Sequence, residues 1–125
     1  SVSLDPPLVL VSVDKRANTH RFIPEAKRFA INILRLDQRD VSNHFAGKPS
    51  AEVEKKLKYE WQNDIPLLSD CLVSVPCRLW ASYDGGDHTL FVGEVVDIRV
   101  AEGDPLLFYR GNYGQLDTTS TDART

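Results

Sequence analysis

Cysteine is scarce in this chain of 125 residues, and the two present, Cys71 and Cys77, have little to pair with. They lie six positions apart in what reads as one strand, too far along it for an easy disulfide, so both are expected as packed free thiols. No CxxC or HExxH spacing occurs, and His20, His44 and His88 stand far apart, so no metal-ligand set can be assembled from the pattern. No apolar run approaches the roughly 20 residues that span a bilayer, and no charged segment leads into an apolar leader. A cytoplasmic protein is expected. The basic residues are dispersed and the formal net charge is −3, which gives nucleic acid no electrostatic footprint. Internal repeats are absent as well. The chain opens with Ser1 in what reads as the middle of a strand, so an N-terminal strand segment is expected to precede it.

What is present suffices for one domain with one core: 42% hydrophobic and 26% charged residues are ordinary globular values. The central signal is Cys71–Val100, two apolar-rich runs around Asp84-Gly85-Gly86-Asp87, a hairpin pattern. On its outgoing strand the alternation puts His88, Leu90, Val92, Val96, Ile98 and Val100 on one largely apolar face, and Thr89, Asp97 and Arg99 on the other. Arg78 and Glu94 fall on facing strands.

Upstream, a short strand and a Pro6-Pro7 turn precede an apolar strand, Leu8 to Val13. Asn18 and Thr19 are good caps for a short helix around His20 to Lys27, and Arg28 to Leu34 reads as a buried strand. Asp37 can cap a helix to Phe45, stopped by Gly47 and Pro49. Ser50 opens a further helix over residues 51–62 that turns Val53, Leu57 and Trp61 inward. A last strand, Leu106 to Tyr109, leads to a polar tail over 117–125 that is expected to be disordered. At least five strands with three short helices and no alternating βαβ units predict a mainly-β fold, a small barrel with inserted helices.

Several polar groups have two readings each. The loop Asp14-Lys15-Arg16-Ala17-Asn18-Thr19 follows a buried strand and precedes a helix N-terminus, where backbone N–H groups and two cations can meet an anion. Its plain alternative is solvated charges and a helix cap. His44 can complement the C-terminal end of its helix, with Phe45 in the core, or the pair can line a ligand. His88, after Gly85-Gly86, can bond its own turn or face a substrate. Arg110 offers a planar donor fork and Tyr113 an amphipathic surface, or they are a turn arginine and a core-edge tyrosine. Trp61 and Trp80 read as packing residues.

Taken together, SVSLDPPLVLVSVD (1–14), NTH (18–20), FAINIL (29–34), HFAG (44–47), GDHT (86–89) leading into FVGEV (91–95), and PLLFYRGNYGQL (105–116) resemble the flavin reductase family. That family has the FMN-binding split-barrel fold of Greek-key type. More closely, the chain is similar to the small reductase components of two-component flavin-dependent monooxygenases, such as that of 4-hydroxyphenylacetate 3-monooxygenase. The family usually carries a Thr-Ala-Ser-Ser-Phe-like stretch just before the SVSLDPP strand, which this chain lacks.

The resemblance implies a domain over 1–116 without its N-terminal part, and an NAD(P)H:flavin oxidoreductase that passes hydride from NADH or NADPH to FMN or FAD. It implies a homodimer and a separate oxygenase that receives reduced flavin. Flavin contacts would come from Ser1, Ser3, Asp14, Lys15, Arg16, Asn18, Thr19, His44 and Phe45, and nicotinamide contacts from Asp87, His88, Arg110 and Tyr113. No side chain need act as a covalent catalyst, because the cofactors carry the chemistry. The rival readings are a non-catalytic FMN carrier or sensor of the same fold, and a flavoprotein reductase with another acceptor such as a ferric chelate.

Overall fold

A computed structural model describes residues 1–117 and Thr119. The elements in chain order are β1 (Ser3–Leu4), β2 (Pro7–Asp14), α1 (Asn18–Ala26), β3 (Arg28–Ile33), α2 (Arg39–Phe45), α3 (Ala51–Lys56), β4 (Tyr59–Gln62), β5 (Ile65–Leu68), β6 (Val73–Gly85), β7 (His88–Val95), β8 (Arg99–Val100), β9 (Leu107–Tyr109) and β10 (Asn112–Gly114). A six-stranded antiparallel sheet, in the order β1-β2-β7-β6-β3 with β8 beside β6, carries the fold. The expected mainly-β chain with short inserted helices is what forms. No helix among the described residues is long and apolar enough to cross a membrane. The expected disordered tail lies, Asp117 and Thr119 apart, outside the described residues.

The sheet wraps around one cluster, Phe29 of β3, Cys77 of β6 and Phe91 of β7, closed at one side by Ile23 of α1. Val9, Val11 and Val13 of β2 pack on it from the other side. Valine, isoleucine and phenylalanine suit these strands because branched and aromatic side chains fill a pleated, half-buried surface. Gly93 is required where β7 passes β6 and β3: a Cβ there would stand 2.5 Å from the Phe29 ring and 2.7 Å from Cys77 Cβ. Both cysteines are buried and free, and burial pushes the Cys77 thiol up to about 11. Cys71 lies before β6 and not within it, in a second small cluster with Val41, Val53 and Leu68.

The hairpin face differs from the sequence reading. Both faces of β7 are buried at its middle, Val92 at 5% exposure on the expected face and Phe91 at 1% on the other, and it is the Phe91 face, with its odd-numbered neighbours, that meets the valines of β2. A bulge in β6 shifts the register between Leu79 and Ala81, leaving Trp80 unpaired. Leu79 stands opposite Gly93, whereas past the bulge Ser82 stands opposite Phe91, so alternation in β6 reverses at Trp80. The bulge also leaves Trp80 53% exposed, so it is not the packing residue expected. Arg78 does stand opposite Glu94. Residues 96–98 leave the strand altogether, and the chain rejoins the sheet as β8.

The helix expected over 51–62 is likewise corrected. Ser50 does cap it, accepting from Val53 N, but α3 ends at Lys56, and residues 59–62 form β4, paired with β5. Asn63 and Asp64 both have positive φ, 50° and 63°, the geometry of a tight two-residue hairpin turn. Trp61 is 69% exposed as a result. The turn at Arg110 and Gly111, with φ of 52° and 78°, closes β9 on β10 in the same manner.

Candidate functional site

Sheet register brings two distant stretches to one end of the barrel. Asp14, the last residue of β2, stands directly opposite His88, the first of β7, and the two share a face outside the core. The loop after β2 then folds over the β6–β7 turn: Lys15 N donates to the Asp87 carbonyl at 3.0 Å, and Lys15 Nζ lies 2.5 Å from Asp84 Oδ1. Asp14 accepts from Arg16 at its backbone N, Nε and Nη2, at 2.8, 3.2 and 2.9 Å. Those Arg16 bonds hold the Asp14 carboxyl well below the usual carboxylate range. His88 Nδ1 lies 2.7 Å from Asp87 Oδ1, which leaves Nε2 free to meet a ligand. Asp14, Lys15, Arg16, Asp87 and His88 are therefore one cluster.

Helix α1 starts from this cluster. Its N-cap is Ala17 and not Asn18 or Thr19, it has no side-chain cap bond, and its first turn has no acidic residue. His20 N already donates to the Ala17 carbonyl at 3.1 Å, so it is the Asn18 and Thr19 N–H groups that keep their capacity for an external acceptor, and the side chains of these two residues are not used as caps. One turn on, His20 Nε2 lies 2.8 Å from Thr89 Oγ1, tying α1 to the strand that carries His88.

Thr19 also begins a groove of about 780 Å³ between α1, β3, α2 and the β4–β5 hairpin. Its wall is largely apolar and includes the aromatic rings of Phe22, Phe45, Tyr59 and Trp61. Phe45 is 57% exposed, so it faces this groove and not the core. Asn32 lines it too; its Oδ1 accepts from Leu68 N at 3.2 Å, which ties β5 to β3.

The remaining candidates are placed elsewhere. His44 joins α2 to α3: its Nδ1 accepts from Ser50 N at 2.9 Å and its Nε2 donates to Glu54 at 2.8 Å. Tyr113 packs on α2, its hydroxyl 2.9 Å from Ser42 Oγ and 3.0 Å from Asn43 Oδ1. Arg110 sits in the β9–β10 turn over the Tyr109 ring. Ser3 pairs opposite Leu8 at the far end of β2, six residues from Asp14, or about 20 Å at strand spacing; Ser1 precedes it.

A family model described as flavin reductase like domain matches residues 1–117. The chain belongs to the flavin reductase family. It is 43% identical over 122 residues to an NADH-dependent flavin reductase from a Rhodococcus species, covering 98% of this chain and 68% of that protein. It is 36% identical to the reductase component of 4-hydroxyphenylacetate 3-monooxygenase from Thermus thermophilus, over 93% of this chain and 73% of that one. A solved structure, flavin reductase PheA2 in its native state, superposes with a TM-score of 0.86 at 41% identity, covering 94% of this chain and 76% of that one. Such neighbours make the fold a split barrel. The chain spans about two thirds of the length of the curated relatives it matches.

In this flavin reductase chain the structure adds residues that sequence reasoning passed over. Asp84, visible only as a turn residue of the DGGD run, partners Lys15, and the groove aromatics Phe22 and Tyr59 had read as ordinary helix positions. Only the folded register shows that they belong near the candidate residues.

Proposed function

We propose that this chain is the main body of a flavin reductase that reduces FMN or FAD with NADH or NADPH and hands reduced flavin to a separate oxygenase. The observation that carries the reading is the meeting of the Asp14–Thr19 loop with the Asp87-His88 turn, two stretches that the family resemblance assigns to the flavin and to the nicotinamide. The family and the names of its relatives support the same activity.

The residues present fit a flavin phosphate: two cations and an uncapped helix start lie in one loop. When bound, nicotinamide supplies a hydride and flavin accepts it, and the protein's part is placement. Lys15, Arg16, Asn18 and Thr19 would hold the phosphate and ribityl chain. With Nδ1 turned to Asp87, His88 would present Nε2 to the carboxamide of a nicotinamide. Tyr113 and Arg110 would act at the nicotinamide side, Phe45 along the flavin with His44 holding its helix against α3, and Ser1 and Ser3 at its ring end.

The homodimer belongs to this reading too. Trp61, Tyr83, Phe108 and Tyr109 are 58–71% exposed, apolar surface of the kind a second copy covers. A cytoplasmic setting is supported by two unpaired buried thiols. The deciding experiment is NADH and NADPH oxidation in air with FMN, FAD or no flavin. Flavin-dependent oxidation is expected; a folded protein that binds flavin and oxidises neither donor would make it a carrier.

A further inference from the structure

The two loop cations are neutralised in different ways. Arg16 is held by Asp14, two residues away in its own loop, through both its side chain and its backbone N–H. Lys15 is held by a residue from another element, Asp84 of β6, 69 positions away. Asp84 stands near the end of β6, just before the turn into β7, so its carboxylate is presented beside the Lys15 loop. Lys15 is fixed at its main chain by the bond to Asp87, so its ammonium group needs only a side-chain rotation to change partner. Both side chains are open to water, at 42% and 78% exposure, so the exchange crosses no buried state.

We infer that Asp84 is a built-in competitor for Lys15: it holds the ammonium when no ligand is present and yields it to the phosphate of an arriving flavin, thereby weakening the retention of phosphorylated flavins. The inference rests on the flavin reading above. A phosphate monoester carries about −1.5 to −2 charges at neutral pH against one on the carboxylate, so it displaces Asp84 without being held as tightly as by an unopposed lysine. A reductase that must release its product gains a faster departure from such a pair. Asp14 cannot serve in the same way, since its bonds to Arg16 form the loop itself.

A double-mutant cycle on the full chain tests this, with FMN and riboflavin as probes, because riboflavin lacks only the phosphate. Asp84→Asn should tighten FMN by about two- to fivefold, the range of an exposed ion pair, and leave riboflavin unchanged. Lys15→Ala should weaken FMN and abolish the effect of Asp84→Asn. Equal tightening of FMN and riboflavin, or tightening that persists in the Lys15→Ala background, would overturn the competitor role while leaving the flavin reading intact. Failure of the unaltered chain to bind either flavin would overturn the flavin reading and this inference with it.

Discussion

The barrel interior and the barrel end obey opposite rules. Inside, Phe29, Cys77 and Phe91 are buried and pack closely around Gly93; at the end, Lys15 with Asp84 and His88 with Asp87 stand in exposed pairs that can exchange partners. Dry packing is worth kilocalories and is intolerant of added volume, whereas exposed ion pairs contribute about 0–1 kcal/mol and are easily remade. On the proposed reading of the barrel end, stability and ligand handling are separated in space, and the end can change partners without loosening the fold.

That separation is breakable at Gly93. A methyl group there has no room between the Phe29 ring and Cys77, so Gly93→Ala should lower stability by about 1–3 kcal/mol, read as a shifted denaturant midpoint. An unchanged midpoint would mean that the interior is looser than described. Next in size is His44→Ala, which removes the bonds to Ser50 N and Glu54 at the α2–α3 junction. A loss of about 1 kcal/mol is expected, with the Michaelis constant for flavin unchanged; a raised constant would return His44 to the flavin site.

The smallest effect is acid sensitivity at the barrel end. Lys15 holds the Asp84 carboxyl below its ordinary range, as Arg16 does for Asp14. A carboxyl with a lowered folded-state pKa takes up its proton first in the unfolded chain. Its contribution is therefore complete above about pH 4 and fades as pH falls further. Melting temperature followed downward through pH 4 should drop slightly less steeply for Asp84→Asn than for the unaltered chain. Identical slopes would mean that the Lys15–Asp84 pair contributes nothing in solution.

Much of the sheet was legible because its cause is local. Leu8 to Val13 and Arg28 to Ile33 carry branched residues in strand-length runs, and the two-glycine turn announces β6–β7. The misreadings came from competing local signals. Glu52, Glu54, Lys55 and Lys56 favoured a long helix, but Asn63 and Asp64 accept positive φ, and pairing with β5 converts residues 59–62 to strand. No periodic pattern could show the extra residue at Trp80, which reverses the inward face of β6. The candidate site was legible as residue types and not as an assembly. Asp14 meets His88, and Lys15 meets Asp84, only through the register of β2 on β7, while Ser3 is carried to the far end of β2.

The most direct test of the central claim, that the barrel end handles ligand and contributes little to the fold, is steady-state kinetics of His88→Ala beside its melting curve. The account predicts a Michaelis constant for NADH raised about tenfold, the loss of one good hydrogen bond, with that for flavin nearly unchanged. Stability should stay within about 0.5 kcal/mol of the unaltered chain. Equal changes in both constants, or a melting curve shifted as far as that of Gly93→Ala, would contradict it and make His88 part of the fold.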